Sequence, residues 1–148
     1  MKNHESEVLI PAIERATHAV ALWIEREFHD LRLTQAEAHV LGYLARRPDS
    51  SINDLHRSFG HKRSTLTSLL DRLEDRGWLR RAAHPASRRL VRVELTDAGR
   101  LVGERVSAAL RALEERVSAR SGSGDVAAAL RLLHALEVQL SEEEPTDE

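Results

Sequence analysis

The chain of 148 residues is predicted to be mainly α-helical with one small β-hairpin, and three observations carry that reading. Leu66, Leu69, Leu70 and Leu73 recur at i, i+3, i+4 and i+7, the spacing of a helix that buries one side. Val91, Val93 and Leu95 alternate with Arg92 and Glu94, the period of a strand with one face in water. Gly77 stands between the two patterns, where a helix can close in the left-handed conformation that glycine adopts freely.

Each element follows from local signals. A first helix is expected from about Pro11 to Asp30, with Ile13, Ala16, Val20, Trp23 and Ile24 as a broad apolar stripe and Pro11 tolerated in the first turn. Thr34-Gln35-Ala36-Glu37 has capping-box form and opens a second helix that ends near Arg46, before Pro48. Ser51, with Asp54 three residues on, caps a short third helix over Ile52 to Ser58, closed by Gly60. The leucine helix follows and stops at Gly77. Strands are expected over Trp78–Ala83 and Leu90–Leu95, flanking a cationic, turn-rich tip, His84-Pro85-Ala86-Ser87-Arg88-Arg89. Thr96 caps a long helix whose Val102, Val106, Ala109, Leu110, Leu113 and Val117 keep helical spacing. Ser121-Gly122-Ser123-Gly124 breaks it, and a last helix from Asp125 to about Leu140 carries Val126, Leu130, Leu133, Leu136 and Leu140. Residues 141–148 are acidic, contain a proline and are expected to be disordered. The length suits a single domain with a real core.

Ile52 to Arg76 therefore reads as helix, turn, helix, and the polar side of the second helix is suited to a DNA major groove. Arg63, Ser64, Thr67 and Ser68 lie opposite the leucines, with Thr65 and Arg72 at the edges. Short hydroxyl side chains let a helix backbone sit deep in the groove, and an arginine can meet guanine with two hydrogen bonds. Lys62 and Arg72 are placed to meet phosphates. Arg88 and Arg89 at a hairpin tip suit the narrow, electronegative minor groove alongside. Charge is segregated accordingly: residues 46–96 hold 12 Lys and Arg against 6 Asp and Glu, although the whole chain has a formal charge of −2. The basic middle concentrates positive potential where phosphates would lie.

These residues resemble the MarR-type winged helix-turn-helix regulators. The resemblance runs from Leu33-Thr34 to Val102: Leu33-Thr34-Gln35-Ala36-Glu37, Leu41-Gly42-Tyr43-Leu44-Ala45, Ser64-Thr65-Leu66-Thr67 and Arg72-Leu73-Glu74-Asp75-Arg76-Gly77 match its helices. Arg89, Val93, Leu95 and Thr96 match its wing signature, Asp-x-Arg-x-x-x-Val-x-Leu-Thr. Ser87 stands where the signature has Asp, so the carboxylate that braces the wing arginine is replaced by a hydroxyl that cannot pair charge. The resemblance implies a mainly α fold with a small β-wing, residues 33–96 forming the DNA-binding region and residues 8–31 and 97–140 forming dimerisation helices. It implies a homodimeric, sequence-specific regulator of transcription, in the first instance a repressor, on an inverted repeat of double-stranded DNA. Half-sites would lie about one duplex turn apart, ~34 Å.

The terminal helices carry more apolar surface than a winged domain covers, which independently calls for a partner. The resemblance also implies a small aromatic or anionic effector in a crevice beside the dimer helices. Trp23, His39 and Tyr43 are the residues placed to line it, although packing explains all three as well. A winged-helix module that meets protein instead of DNA is the competing reading.

Other classes find no support. There is no Gly-rich phosphate cradle, nucleophile elbow or His-Glu-x-x-His helix, so no enzymatic activity and no cofactor are expected. Cysteine is absent, which removes disulfides and thiol sensing. Of the eight histidines, His18 and His29 share a helix face but lie ~16 Å apart at 1.5 Å per residue, and His56 and His61 flank a turn, so no metal site is expected. No apolar run approaches a membrane span and residues 1–7 do not form a signal peptide; a cytoplasmic location is expected.

Overall fold

A computed structural model describes residues 8–143, and its elements follow in the order α1 (Leu9–Glu27), α2 (Gln35–Arg46), α3 (Ile52–Phe59), α4 (Arg63–Asp75), β1 (Leu79–His84), β2 (Ser87–Leu95), α5 (Asp97–Ser121) and α6 (Ser123–Glu143). The mainly helical fold with a small antiparallel hairpin is the one read from the sequence. The described chain divides into two compact units, with the division after Ser107, inside α5. No described helix is long and apolar enough to cross a membrane.

The core of the first unit is built around the leucine face of α4. Leu66, Leu69, Leu70 and Leu73 are all buried, together with Val40, Leu41 and Leu44 of α2, Leu55 of α3, Leu79 of β1 and Val93 of β2. Ile24 and Phe28 close it from the α1 side and Val106 from α5.

Two capping boxes hold the entry to this core. The Thr34 hydroxyl accepts from the Glu37 amide at 3.2 Å while the Thr34 amide donates to the Glu37 carboxylate at 3.1 Å. Ser51 and Asp54 repeat the exchange at 3.1 and 2.8 Å, so α2 and α3 both begin where the sequence places them. Gly60 (φ +60°) and Gly77 (φ +73°) close α3 and α4 in the left-handed conformation.

Several boundaries differ from expectation. The first helix starts at Leu9 and stops at Glu27, because a turn over Phe28–Arg32 follows, in which Arg32 takes φ +50°. The wing strands extend to His84 and from Ser87, leaving Pro85-Ala86 as the turn. Side chains tighten that tip: the Ala86 amide donates to His84 Nδ1 at 3.1 Å and the Arg89 amide to the Ser87 hydroxyl at 3.2 Å. Ser87, Arg88 and Arg89 thus belong to β2, and the ladder jumps from Ala83–Val91 to His84–Ser87. A third short strand piece joins the hairpin through a bridge between Ser51 and Arg92, with the Val93 amide donating to the Ser50 carbonyl at 3.0 Å.

The α5 helix is capped as expected, the Thr96 hydroxyl accepting from the Gly99 amide at 3.1 Å. That hydroxyl also donates to the Gly77 carbonyl at 2.6 Å, and the Thr96 amide donates to the Trp78 carbonyl at 3.0 Å, so the start of α5 is fastened to the end of α4. In the second unit Gly122 alone (φ +97°) breaks the helix, and α6 begins at Ser123, with Asp125 favourable in its first turn. It continues to Glu143, three residues into the segment expected to lack structure; residues 144–148 of that segment lie outside the described residues. Its Leu130, Leu132, Leu133, Val138 and Leu140 are exposed.

Candidate nucleic-acid interface

Burying the four leucines turns the rest of α4 outward. Lys62, Arg63, Ser64, Thr65, Thr67, Ser68 and Arg72 are all exposed, as are Arg88 and Arg89 on the wing. The Thr67 hydroxyl donates back to the Arg63 carbonyl at 2.9 Å, which leaves its acceptor lone pairs outward. Unlike α2 and α3, α4 has no side-chain cap and no acid in its first turn, so its leading amides and its positive dipole end face solvent.

Around α4 and the wing the cations divide into those paired internally and those that are not. Arg57 pairs with Asp54 at 2.7 Å, Arg80 with Glu94 at 2.8 Å, and Arg92 with Asp49 at 3.2 Å and with Glu94. Arg81 joins β1 to α4 by pairing with Asp71 at 2.6 Å and with Glu74, which neutralises two acids of the candidate reading helix. Arg72 and Arg76 face Glu37 at 3.4 and 3.6 Å. Lys62, Arg63, Arg88 and Arg89, in contrast, have no ion-pair partner among the described residues. Arg72 therefore stands apart from the other candidate contacts: it is 56% exposed, yet a buried carboxylate holds it towards α2.

Trp23, His39 and Tyr43 are all half-buried. Trp23 meets Phe28 edge to face, with 6.4 Å between ring centroids. Tyr43 packs edge to face on Phe59 at 5.4 Å, its hydroxyl accepting from Ser58 at 3.1 Å. Burial, helped by the charges of Arg46 and His61, lowers the pKa of His39. Tyr43 lines a shallow hollow with Arg47, Ser50 and Asp54; neither Trp23 nor His39 lines it. A larger cavity of about 550 Å³ lies between the end of α2, the base of the wing and the start of α5. Asp49, Arg80, Arg92, Glu94, Asp97 and Arg100 supply its polar lining, and Arg92 Nε is buried there without a hydrogen-bond partner. Sequence spacing gave no sign of this cavity, because its residues come from three elements far apart in the chain. Among the described residues no three His, Asp or Glu side chains gather as metal ligands would.

A helix-turn-helix followed by a two-stranded wing is the winged-helix class of domain. Residues 29–90 match the model of the MarR family. The chain is 34% identical over 102 residues to the HTH-type transcriptional regulator PecS of Dickeya dadantii (strain 3937), a match covering 64% of this chain; the chain spans about three-fifths, 59%, of that relative's length. Among solved structures, the transcription regulator MarR from Oenococcus oeni PSU-1 superposes with a TM-score of 0.81 at 19% identity, over 87% of this chain and 98% of that one. The S. aureus MepR-DNA complex does so with a TM-score of 0.76 at 17% identity, over 91% and 99%. The MarR resemblance read from the sequence agrees with these matches: residues 29–90 are similar to the MarR family model, and the fold is that of the MarR structures.

Proposed function

We propose that the protein is a homodimeric regulator of transcription, a repressor, that docks α4 in successive major grooves of an inverted repeat and sets its wings in the flanking minor grooves. The observation that carries this reading is the division of the cations. The protein neutralises most arginines around the winged region internally and leaves Lys62, Arg63, Arg88 and Arg89 unpaired on the exposed side of α4 and on the wing. In this reading Arg63, Ser64, Thr65, Thr67 and Ser68 meet base edges and phosphates at the N-terminal half of α4, Lys62 a phosphate, and Arg88 and Arg89 the minor groove. Arg72 contributes charge from the rim.

The dimer would form through residues 8–31 and 97–140. Exposed apolar side chains on α1 (Leu9, Ile10, Leu22), α5 (Leu101, Val117) and α6 support this, since a water-exposed set of that size is what a second copy would cover. Release by a small aromatic or anionic effector belongs to the proposal too. A small anion entering the cavity at the wing base would compete with Asp49 and Glu94 for Arg92, and would act by favouring a dimer whose wings are misplaced for the groove. Trp23, His39 and Tyr43 remain the aromatic residues proposed for such a ligand.

The test is selection of preferred sites by the purified protein from a random duplex library at about physiological salt, where phosphate attraction alone is weak. An enriched inverted repeat with half-sites one turn apart is expected. No enrichment by a folded dimer, with or without candidate anions, would overturn the reading in favour of a winged helix that meets protein.

A further inference from the structure

The turn between α1 and α2 is gripped from two sides by arginines. From the end of α4, Arg76 donates to the carbonyls of Leu31 and Arg32, the latter at 3.5 Å, while its guanidinium stacks 3.8 Å over the Trp78 ring and reaches Glu37 at 3.6 Å. From α5, Arg105 forms a two-pronged pair with Asp30 at 2.7 and 3.0 Å, donates to the Glu27 carbonyl at 3.2 Å and lies over the Phe28 ring at 5.3 Å. Arg105 and Asp30 shift each other's ionisation in the matching directions, Arg105 upward and Asp30 downward, each chiefly through their shared hydrogen bonds.

Chain reversal at Arg32 (φ +50°) leaves the Leu31 and Arg32 carbonyls without backbone donors, and the rigid fork of a guanidinium supplies two at once. The three elements that meet at this turn have different tasks in the proposed function. α1 and α5 carry exposed apolar surface for a second copy, and α4 carries the groove-facing side chains. No other hydrogen bond or ion pair among the described residues ties the tail of α4 to that turn: the Arg72 pair with Glu37 ends on α2.

We propose that the Phe28–Arg32 turn is the joint through which the dimer-forming helices set the stance of the recognition helix, and that Arg76 is its positioning residue. Arg76 acts through the turn, with Arg105 holding the opposite side. The inference rests on the DNA-binding reading above and goes beyond it by assigning the half-site spacing to a particular contact. Two recognition helices held at a fixed separation bind a full site by an effectively intramolecular second step, which a loose joint weakens without changing how one helix reads one half-site.

The experiment compares wild type with Arg76→Met, which keeps the apolar body over Trp78 and removes the donors. Each dimer is titrated with duplexes holding one selected half-site, two at the selected spacing, and two with one or two base pairs added or removed. Loss of the charge-assisted bonds is expected to weaken the full site about tenfold, to leave the single half-site within about twofold, and to flatten the spacing preference. Equal weakening of half and full sites, or an unchanged spacing profile, overturns the proposal. If Arg76→Met does not fold, Asp30→Asn loosens the same turn from the α5 side without touching α4, and the same split between half and full sites is required of it. A wild-type dimer that binds none of the duplexes refutes the DNA reading itself, separately from the joint.

Discussion

Gly99 offers a sharp test of how α5 is seated, because two principles predict opposite signs for one methyl group. Gly99 lies in the first turns of α5, where replacing glycine by alanine favours the helix by ~1 kcal/mol. A Cβ at this position, however, would stand 2.6 Å from the Trp78 carbonyl carbon and 1.7 Å from its oxygen, the latter half the 3.4 Å at which ordinary contact begins. A methyl group has no rotamer to change and the obstacle is backbone, so α5 itself must retreat from the α4–β1 junction. That retreat breaks the bond from the Thr96 hydroxyl to the Gly77 carbonyl and strains the one from the Thr96 amide to Trp78. Overpacking costs ~1–3 kcal/mol and two hydrogen bonds ~1 kcal/mol each, or ~2–4 kcal/mol net of the helix gain. For a chain of this size that corresponds to a fall in melting temperature of ~6–12 °C. Gly124 is the control: a Cβ there meets nothing within 4 Å, and Gly124→Ala is expected to match or exceed wild-type stability. Thermal and urea unfolding followed by circular dichroism measures both variants. A Gly99→Ala protein within ~1 kcal/mol of wild type would show that the close seating of α5 on Trp78 is not what the geometry says.

Further outcomes follow from the same contacts. Arg63→Ala should narrow the affinity gap between a selected site and random duplex, whereas Arg88→Ala and Arg89→Ala should weaken both and each lower the slope of log K against log salt by about 1; identical behaviour of all three would refute the division between reading helix and wing. Thr34→Ala removes the N-cap of α2 and should cost ~1 kcal/mol in urea unfolding, a value near zero showing that Glu37 holds the helix start without its partner. For His39 the pKa is lowered in the fold, chiefly by burial, so the unfolded chain takes up the proton first. Stability is full above its unfolded value of about 6.5 and falls as pH drops below it, until His39 is protonated in the fold as well. His39→Gln should flatten the loss of melting temperature between pH 7.5 and pH 5.5, and an unchanged slope would assign that loss to other groups. Leu130→Glu and Leu133→Glu, at side chains 62% and 39% exposed, should yield folded monomer in analytical ultracentrifugation if α6 is covered by a second copy, and persistent dimer would remove α6 from the interface.

What could be read in advance was what a short window contains. The leucines of α4 announce their burial by period alone, and both capping boxes sit within four residues, so spacing and chemistry agree without the rest of the molecule. Gly60 and Gly77 were legible for the same reason. Glu37 was legible as a cap but not as the carboxylate between Arg72 and Arg76, because those partners lie 35 and 39 residues away and only packing brings α2 and α4 together. Gly99 and Gly103 look like weak points of a helix until the Trp78 and Leu41 carbonyls are seen against them. The unpaired cations of the candidate interface were all named from the sequence. What spacing could not say is that Arg72, though exposed, is held towards α2 by Glu37 and that Arg81 cancels two acids beside it. Aromatic residues at helical spacing give a face but no neighbour, which is why Trp23 proves to meet Phe28 while Tyr43 meets Phe59.

The interrupted ladder of the wing makes its tip separable from its base. Pairing is continuous from Leu79–Leu95 to Ala83–Val91 and resumes only at His84–Ser87, so Arg88, Arg89 and Leu90 occupy one strand with no residues opposite them. The base, tied to Ser50 and Ser51 of the helix-turn-helix, is complete without them. Residues 84–90 therefore form a cassette: their length and charge can be exchanged by design while the register that seats Val93 in the core is kept. If the wing meets DNA as proposed, its preference there would change by editing these seven residues, with α4 left untouched.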